Sequence, residues 1–280
     1  MVQIVIDSAG DLTTEEVQAK GLVRVSMPVR FGDETFLDGV DLTKEAFYER
    51  LERGEYPATS QPSPEAFREA FASALEQGNE VLVIPISSGL SGTIQGAMLA
   101  RDMLPDGEKV HIVDSGTAAI GLRLIIDQAV SLRDQGLSAG EIAGRLEEMV
   151  PRLRLFATID TLKYLQKGGR LSRSAAALGT LANLKPIIQV PLGPVEVVGK
   201  AIGTRRALEQ VMEKVQKENL DPDGPVYMVY AKNRENCDKL REMLQKIGVA
   251  VKPEDCYDLG PTIGTHVGPG AAGIAFLTKA

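Results

Sequence analysis

Residues 84–95, IPISSGLSGTIQ, crowd serines and glycines between an apolar run and a segment with helical spacing. The chemistry they suit is anion binding. In an open parallel sheet, ligands sit beyond the carboxyl ends of strands, where loops lead into helices. The unpaired N–H groups and the dipole of a helix start favour negative charge there. Ser87, Ser88, Ser91 and Thr93 add hydroxyl donors, while Gly89 and Gly92 let the backbone approach closely. The expected guest is an oxyanion, either phosphate or carboxylate. Capping and turn formation are the other role that Ser and Gly fill at such junctions.

No Lys-Ser/Thr pair follows the glycines, so this is not a Walker loop. Gly89-Leu90-Ser91-Gly92-Thr93 instead approaches the hydrolase elbow G-x-S-x-G, with Thr93 in place of the last glycine. A serine nucleophile needs a histidine base and an acid behind it. His266 is available, with Asp114, Asp160 and Asp258 as candidate acids in a chain order that suits such an enzyme. A serine esterase or thioesterase using Ser91 and His266 is therefore the alternative to anion binding.

Three further stretches carry polar chemistry. ATSQPSP, residues 58–64, offers Thr59 and Ser60 to the same crevice, while Ser63 reads as a helix cap. GPTIGTHVGPGAAGIAF, residues 260–276, surrounds His266 with small residues that leave space around the imidazole. His111, inside the strand-like VHIVD, reads as structural. KYLQKGGRLSR, residues 163–173, gathers Lys163, Lys167, Arg170 and Arg173 around Gly168-Gly169. These cations suit either a helix end with a glycine stop or contact with phosphate or an acidic partner.

The elements that must position these residues follow from pattern. In the first half, VQIVI, VLVIPI and VHIVDS alternate with helical segments, among them one capped by Thr13 and Glu16 and one by Ser63 and Pro64. That alternation predicts a Rossmann-like parallel sheet with right-handed crossovers. VRVSMPVRF and ETFLDG read as strands around a Gly32-Asp33 turn. In the second half, RLFATI, KPIIQVP, VEVVGKA, PVYMVYAK and THVGPGAAGIAFL read as strands, with helices near 172–184, 204–218 and 234–247. Adjacent strands across Leu192-Gly193-Pro194 predict an α+β layer with a mixed or antiparallel sheet. The fold class is α/β in two domains, residues 1–151 and 152–280, divided near Pro151.

Bulk composition narrows the function. A net charge of −7 over 280 residues argues against binding nucleic-acid phosphates. Cys237 and Cys256 form no C-x-x-C pair and only His111 and His266 are available as imidazoles, so no metal site is expected. Charges interrupt every apolar run, as Arg123 and Asp127 do in GLRLIIDQAV, which excludes a spanning helix. The amino terminus has no signal-peptide pattern, and a cytoplasmic location is expected.

Together, IDSAGDL, ATSQPSP, SSGLSGT, VDS, ATIDTLKYLQKGGRLS, KPII and GPTIGTHVGPGAAGIAF resemble the DegV family of bacterial fatty-acid-binding proteins, in the family's order over nearly the whole chain. Gly116-Thr117-Ala118-Ala119 departs from the family pattern, where bulkier or more polar residues are expected. The resemblance implies two α/β domains with a long-chain, palmitate-like fatty acid buried between them. It implies that Thr59, Ser91 and His266 bind the carboxylate, with Ser60, Gly92 and Thr93 as further head-group contacts. It also implies a carrier with no catalysis of its own and no cofactor. Such a carrier presents the carboxylate to a separate, dihydroxyacetone-kinase-like fatty-acid kinase and touches membranes only transiently. Lys167, Arg170 and Arg173 are then the expected docking cations for that kinase.

Overall fold

The computed structural model describes residues 1–172 and 183–279. The chain opens on β1 (Val2–Asp7), whose apolar run buries Ile4, Val5 and Ile6 completely. Thr13 starts α1 (Thr14–Ala19) with the expected capping box: its hydroxyl accepts from Glu16 N, and the Glu16 carboxylate accepts from Thr13 N. β2 (Val23–Val25) pairs parallel with β1. The chain then leaves this sheet. β3 (Pro28–Phe31) and β4 (Glu34–Leu37) make an antiparallel hairpin, and α2 (Lys44–Glu52) follows behind a Thr43 cap. β5 (Ala58–Thr59) returns along the other edge of β3, completing a three-stranded sheet. The sequence pattern shows no strand at 58–59, because two residues are too few to show a strand period. Their pairing with β3, Val29 opposite Thr59, is nevertheless what fixes Thr59.

α3 (Pro64–Glu76), β6 (Glu80–Ile84), α4 (Thr93–Asp102), β7 (Val110–Ile112), α5 (Ala119–Asp134) and α6 (Ala139–Met149) continue the strand–helix alternation. The parallel sheet runs in the order β2-β1-β6-β7. Successive side chains point to opposite faces. Val5, Val81 and Val83 therefore pack against Phe67, Phe71, Ala97 and Ala100 of α3 and α4. Ile4, Ile6, Leu82 and Ile84 face the other way, toward a core shared with Ile120, Leu124 and Leu146.

The second half adds β8 (Leu153–Thr158), α7 (Lys163–Gly168), β9 (Leu184–Gln189), β10 (Glu196–Ile202), α8 (Thr204–Lys217), β11 (Val226–Tyr230), α9 (Glu235–Lys246), β12 (Cys256–Asp258), α10 (Pro261–Val267) and β13 (Ala272–Leu277). These strands form a six-stranded sheet, β10-β9-β8-β13-β11-β12, antiparallel except for the β11–β12 pair. α8 and α9 cover one face over Phe156, Met228, Ile274 and Phe276. The other face, through Leu155, Val229 and Ala275, joins the core of the parallel-sheet half. α5 lies between the two sheets, touching β1 on one side and β8, β11 and β13 on the other. Its Ile120, Leu122, Leu124, Ile125 and Ile126 are all fully buried, which accounts for apolar residues on every side of this helix. The protein is thus mixed α/β, as the pattern predicts.

Two expectations differ from what is found. The strand reading of residues 265–277 holds only for β13, because its amino-terminal part belongs to α10. Pro261 sits in the first turn behind Gly260, where its missing N–H costs nothing, and Gly268 at φ +71° ends the helix. His266 therefore stands in a helical last turn and not in an open glycine loop. The helix expected near 172–184 falls mainly on residues outside those described, and Leu184 already belongs to β9.

Candidate functional site

The serine-rich loop follows β6 and is pinned at its base by Asp7, the last residue of β1. The buried Asp7 carboxylate accepts from Ile86 N at 2.7 Å and from Ala9 N at 2.9 Å, tying the ends of adjacent strands together. Burial pushes the Asp7 pKa up to about 6, against the pull of these two N–H donors. Within the loop the hydroxyls divide their tasks. Ser87 is fully buried and its Oγ accepts from Gly89 N, while Ser88 N donates to Asp114. These two shape the turn. Ser91 Oγ lies 2.9 Å from the buried Thr93 Oγ1 at the start of α4.

Thr59 comes from β5 and His266 from α10, and Thr59 Oγ1 lies 2.8 Å from His266 Nε2. Burial first, and the Arg170 charge second, depress the His266 pKa to about 4, so the imidazole is neutral near pH 7. Its Nδ1 is buried with no hydrogen-bond partner among the described residues. An unpaired acceptor is better tolerated in an interior than an unpaired N–H. The proton therefore belongs on Nε2, which donates to Thr59 and leaves the Thr59 hydroxyl proton for a guest. Gly168, at the end of α7, makes room for this ring: a Cβ there would collide with Nδ1.

Arg170 completes the group. Its Nε donates to Leu90 O at 3.0 Å and its Nη1 to Gly168 O at 2.6 Å, which lashes the α7 turn to the serine loop. Thr59, Ser91, Arg170 and His266 all line one cavity. Its remaining walls are almost wholly apolar: Met27, Ile86, Leu90, Ala118 and Ala119 from the first half, and Leu155, Ala157, Ile188, Val190 and Val229 from the six-stranded sheet and its flanks. Ile263 and Val267 of α10 and the adjoining Leu259 and Ala271 close it. The two alanines that depart from the family pattern stand in this wall.

The other residues singled out by sequence lie elsewhere. Ser60 is exposed and its N–H donates to Pro28 O. Gly92 precedes α4 against Gln61, whose Oε1 a Cβ would strike. Thr93 supports Ser91 from behind. None of these three lines the cavity. Lys167 is exposed, with its ammonium 3.3 Å from the Tyr56 ring centroid, and Lys163 sits 4.7 Å from the same ring. Arg173 lies outside the described residues. The candidate acids are occupied away from His266: Asp114 with Ser88 and Gly116, Asp160 with Lys185, Asp258 with Lys232 N. Among the described residues, no His, Cys, Asp and Glu cluster is placed to hold a metal, and no helix is long and apolar enough to cross a membrane. Sequence reading assigned Arg170 to partner docking and missed its place in the cavity wall. Contact of a residue after α7 with Leu90 has no local signature.

The sequence profile described as "Uncharacterised protein, DegV family" matches residues 1–279. The chain belongs to the DegV family. A DegV domain-containing protein of Deinococcus radiodurans is 35% identical over 275 residues, covering 98% of this chain and 97% of its own. Among solved structures, a DegV family protein from Thermus thermophilus described by its fatty acid binding has 30% identity and a TM-score of 0.88, with 99% of each chain covered. A protein from Eubacterium ventriosum, described as binding stearic acid, has 28% identity and a TM-score of 0.90 over 100% of this chain and 99% of its own. The mixed architecture seen here is the family's fold.

Proposed function

We propose that this DegV protein binds a long-chain fatty acid in the cavity and presents its carboxylate to a separate ATP-dependent fatty-acid kinase for acyl-phosphate formation. One observation carries the binding reading: an apolar cavity with a few polar lining residues, of which Thr59 and His266 are bonded to each other and Arg170 is bonded to Leu90 O, next to Ser91. The fatty-acid ligands of the Thermus and Eubacterium relatives support it. Burial contributes about 0.8 kcal/mol per methylene, so a long chain gives on the order of 10 kcal/mol before association costs. The tail supplies affinity. The head group supplies polarity: a buried carboxylate needs donors and compensating charge. Thr59 and Ser91 offer hydroxyls, each backed by a second polar group, and Arg170 brings the positive charge that neutral His266 lacks.

Hydrolysis fits the geometry less well. A Ser–His–acid relay needs serine bonded to the imidazole and a carboxylate on its other nitrogen. Here Ser91 is bonded to Thr93 and His266 to Thr59, and His266 Nδ1 faces no carboxylate among the described residues. The binding proposal is tested by denaturing mass spectrometry of small molecules released from the purified protein, with calorimetric titration of palmitate. A co-purifying fatty acid and saturable binding are expected; a clean apo protein that takes up no palmitate would end the proposal. Kinase presentation is tested at Lys167, exposed near the carboxylate-binding group. Lys167→Glu is expected to slow acyl-phosphate formation by a fatty-acid kinase while the palmitate Kd stays unchanged. Equal rates for the two proteins would remove Lys167 from the docking surface.

A further inference from the structure

The helix that carries His266 is short, and its amino end is gripped by two carboxylates from distant parts of the chain. Asp11 Oδ1 accepts from Gly260 N at 2.9 Å, and Asp38 Oδ2 accepts from Thr262 N at 3.1 Å. The Ser8 hydroxyl lies 3.4 Å from Thr262 Oγ1 and also accepts from Met27 N, linking the same helix turn to the start of the hairpin. Asp11 is only 6% exposed and Asp38 only 4%. Neither makes an ion pair with a described residue. The nearest cations are engaged elsewhere: Lys44 Nζ donates to Asp258 O, Arg24 to Leu12 O and Gly39 O, and Arg123 to Asp11's own carbonyl and to Glu16. One Asp11 oxygen, Oδ2, has no partner among the described residues.

Two buried carboxyl groups with no ion-pair partner are costly in an interior unless something else requires them. What their oxygens engage are N–H groups of a helix start, where the backbone donors are otherwise orphaned. The register matters. Thr262 and His266 are four residues apart, so they lie one turn apart on the same face of α10. Both line the cavity. Fixing the Thr262 backbone therefore fixes the direction in which the imidazole leaves the helix. Tyr48 and Lys44, which donate to Leu259 O and Asp258 O, hold the approach to that helix but not its rotation.

We propose that Asp11 and Asp38 are positioning residues for His266, setting the height and rotation of α10 so that the imidazole meets Thr59 and orients the head-group hydroxyl. The proposal rests on the fatty-acid reading for its ligand, but its geometry concerns the protein alone. The N-terminal half thereby builds the polar end of the cavity twice over, supplying Thr59 directly and aiming His266 from behind. A purely structural cap would stabilise α10 without discriminating between head groups.

The test uses the full chain with Asp38→Ala, Asp38→Asn and Asp11→Ala, and two probes, palmitate and hexadecanol. Asp38→Ala is expected to weaken palmitate binding by about tenfold or more and hexadecanol binding by less than about twofold, because only the acid depends on an aimed head group. Asp38→Asn, whose amide oxygen still accepts from Thr262 N, is expected to recover most of the loss. In the ligand-free protein, the His266 ring nitrogen resonances are expected to shift in both Ala variants. Equal losses for acid and alcohol, or unshifted His266 resonances, would overturn the proposal. If Asp38→Ala does not fold, Asp38→Ser, too short to reach Thr262, takes its place with the same outcomes. If the wild type binds no palmitate, the fatty-acid reading falls, and the His266 resonances alone decide whether the carboxylates aim the ring.

Discussion

At the scale of single residues, the site works by pairing each hydroxyl with a second polar group that decides where its proton points. His266 does this for Thr59, and Thr93 does it for Ser91. Replacing His266 with alanine is expected to weaken fatty-acid binding by about 1 to 3 kcal/mol, the usual cost of leaving a buried charged acceptor short of a partner. His266→Gln is expected to lose less, because its amide N–H can still donate to Thr59. Calorimetry on both variants checks this, and equal losses would show that the imidazole acts only as filler. Ser91 is expected to remain unlabelled by a fluorophosphonate probe, with no ester hydrolysis above a Ser91→Ala control. Stoichiometric labelling would restore the hydrolase reading. Thr59, Ser91 and His266 were legible in sequence because hydroxyls and an imidazole among glycines carry a chemical signature. Asp11 and Asp38 were not, because an acid aimed at a backbone N–H more than two hundred positions away resembles any surface acid until the fold brings the two together.

At the scale of elements, strand–helix alternation and caps were legible because their signals are local: Thr13 with Glu16, Ser63 with Pro64. β5 and α10 were not, since one is held by its neighbour β3 and the other by two remote carboxylates. The start of α5 shows a further element-level device. Ala119 has φ +52°, a left-handed conformation that costs a residue with a Cβ, while Ala118 just before it is extended at φ −148°. Both line the cavity. Valine at either position is expected to crowd the ligand and weaken palmitate binding. Only Ala119→Val is expected to lose fold stability as well, by about 1 to 3 kcal/mol, because β-branching is worst at positive φ. Thermal unfolding of the two variants decides this, and matching Tm values would mean that the backbone relaxes at no cost.

At the scale of the whole molecule, two sheets close on one buried helix, and the N-terminal half carries a cluster of buried acids at the carboxyl end of β1. Burial raises the Asp7 pKa to about 6 and the Asp11 pKa to about 8, and pushes Asp38 upward too. Lys44 and Arg123 pull Asp11 downward and Asp38 pushes it up, but desolvation is the largest influence. For a carboxylate raised on folding, the native state holds a proton that the unfolded state has released. Its contribution to stability is complete below the unfolded pKa of 3.8 and is lost as pH rises through about 8 for Asp11. His266, depressed to about 4 from 6.5, acts in the opposite sense: its contribution is present above 6.5 and is lost as pH falls toward 4. The two slopes overlap, so a single stability curve would not separate them. Comparison with Asp11→Asn does, because His266 titrates in both proteins and cancels in the difference. The unfolding free energy of the wild type minus that of Asp11→Asn is expected to fall as pH rises from 5 to 8, by at most about 1.4 kcal/mol per pH unit. Urea titrations at three or more pH values measure it. A flat difference would show that Asp11 ionises as it does in the unfolded chain and is charged throughout the neutral range.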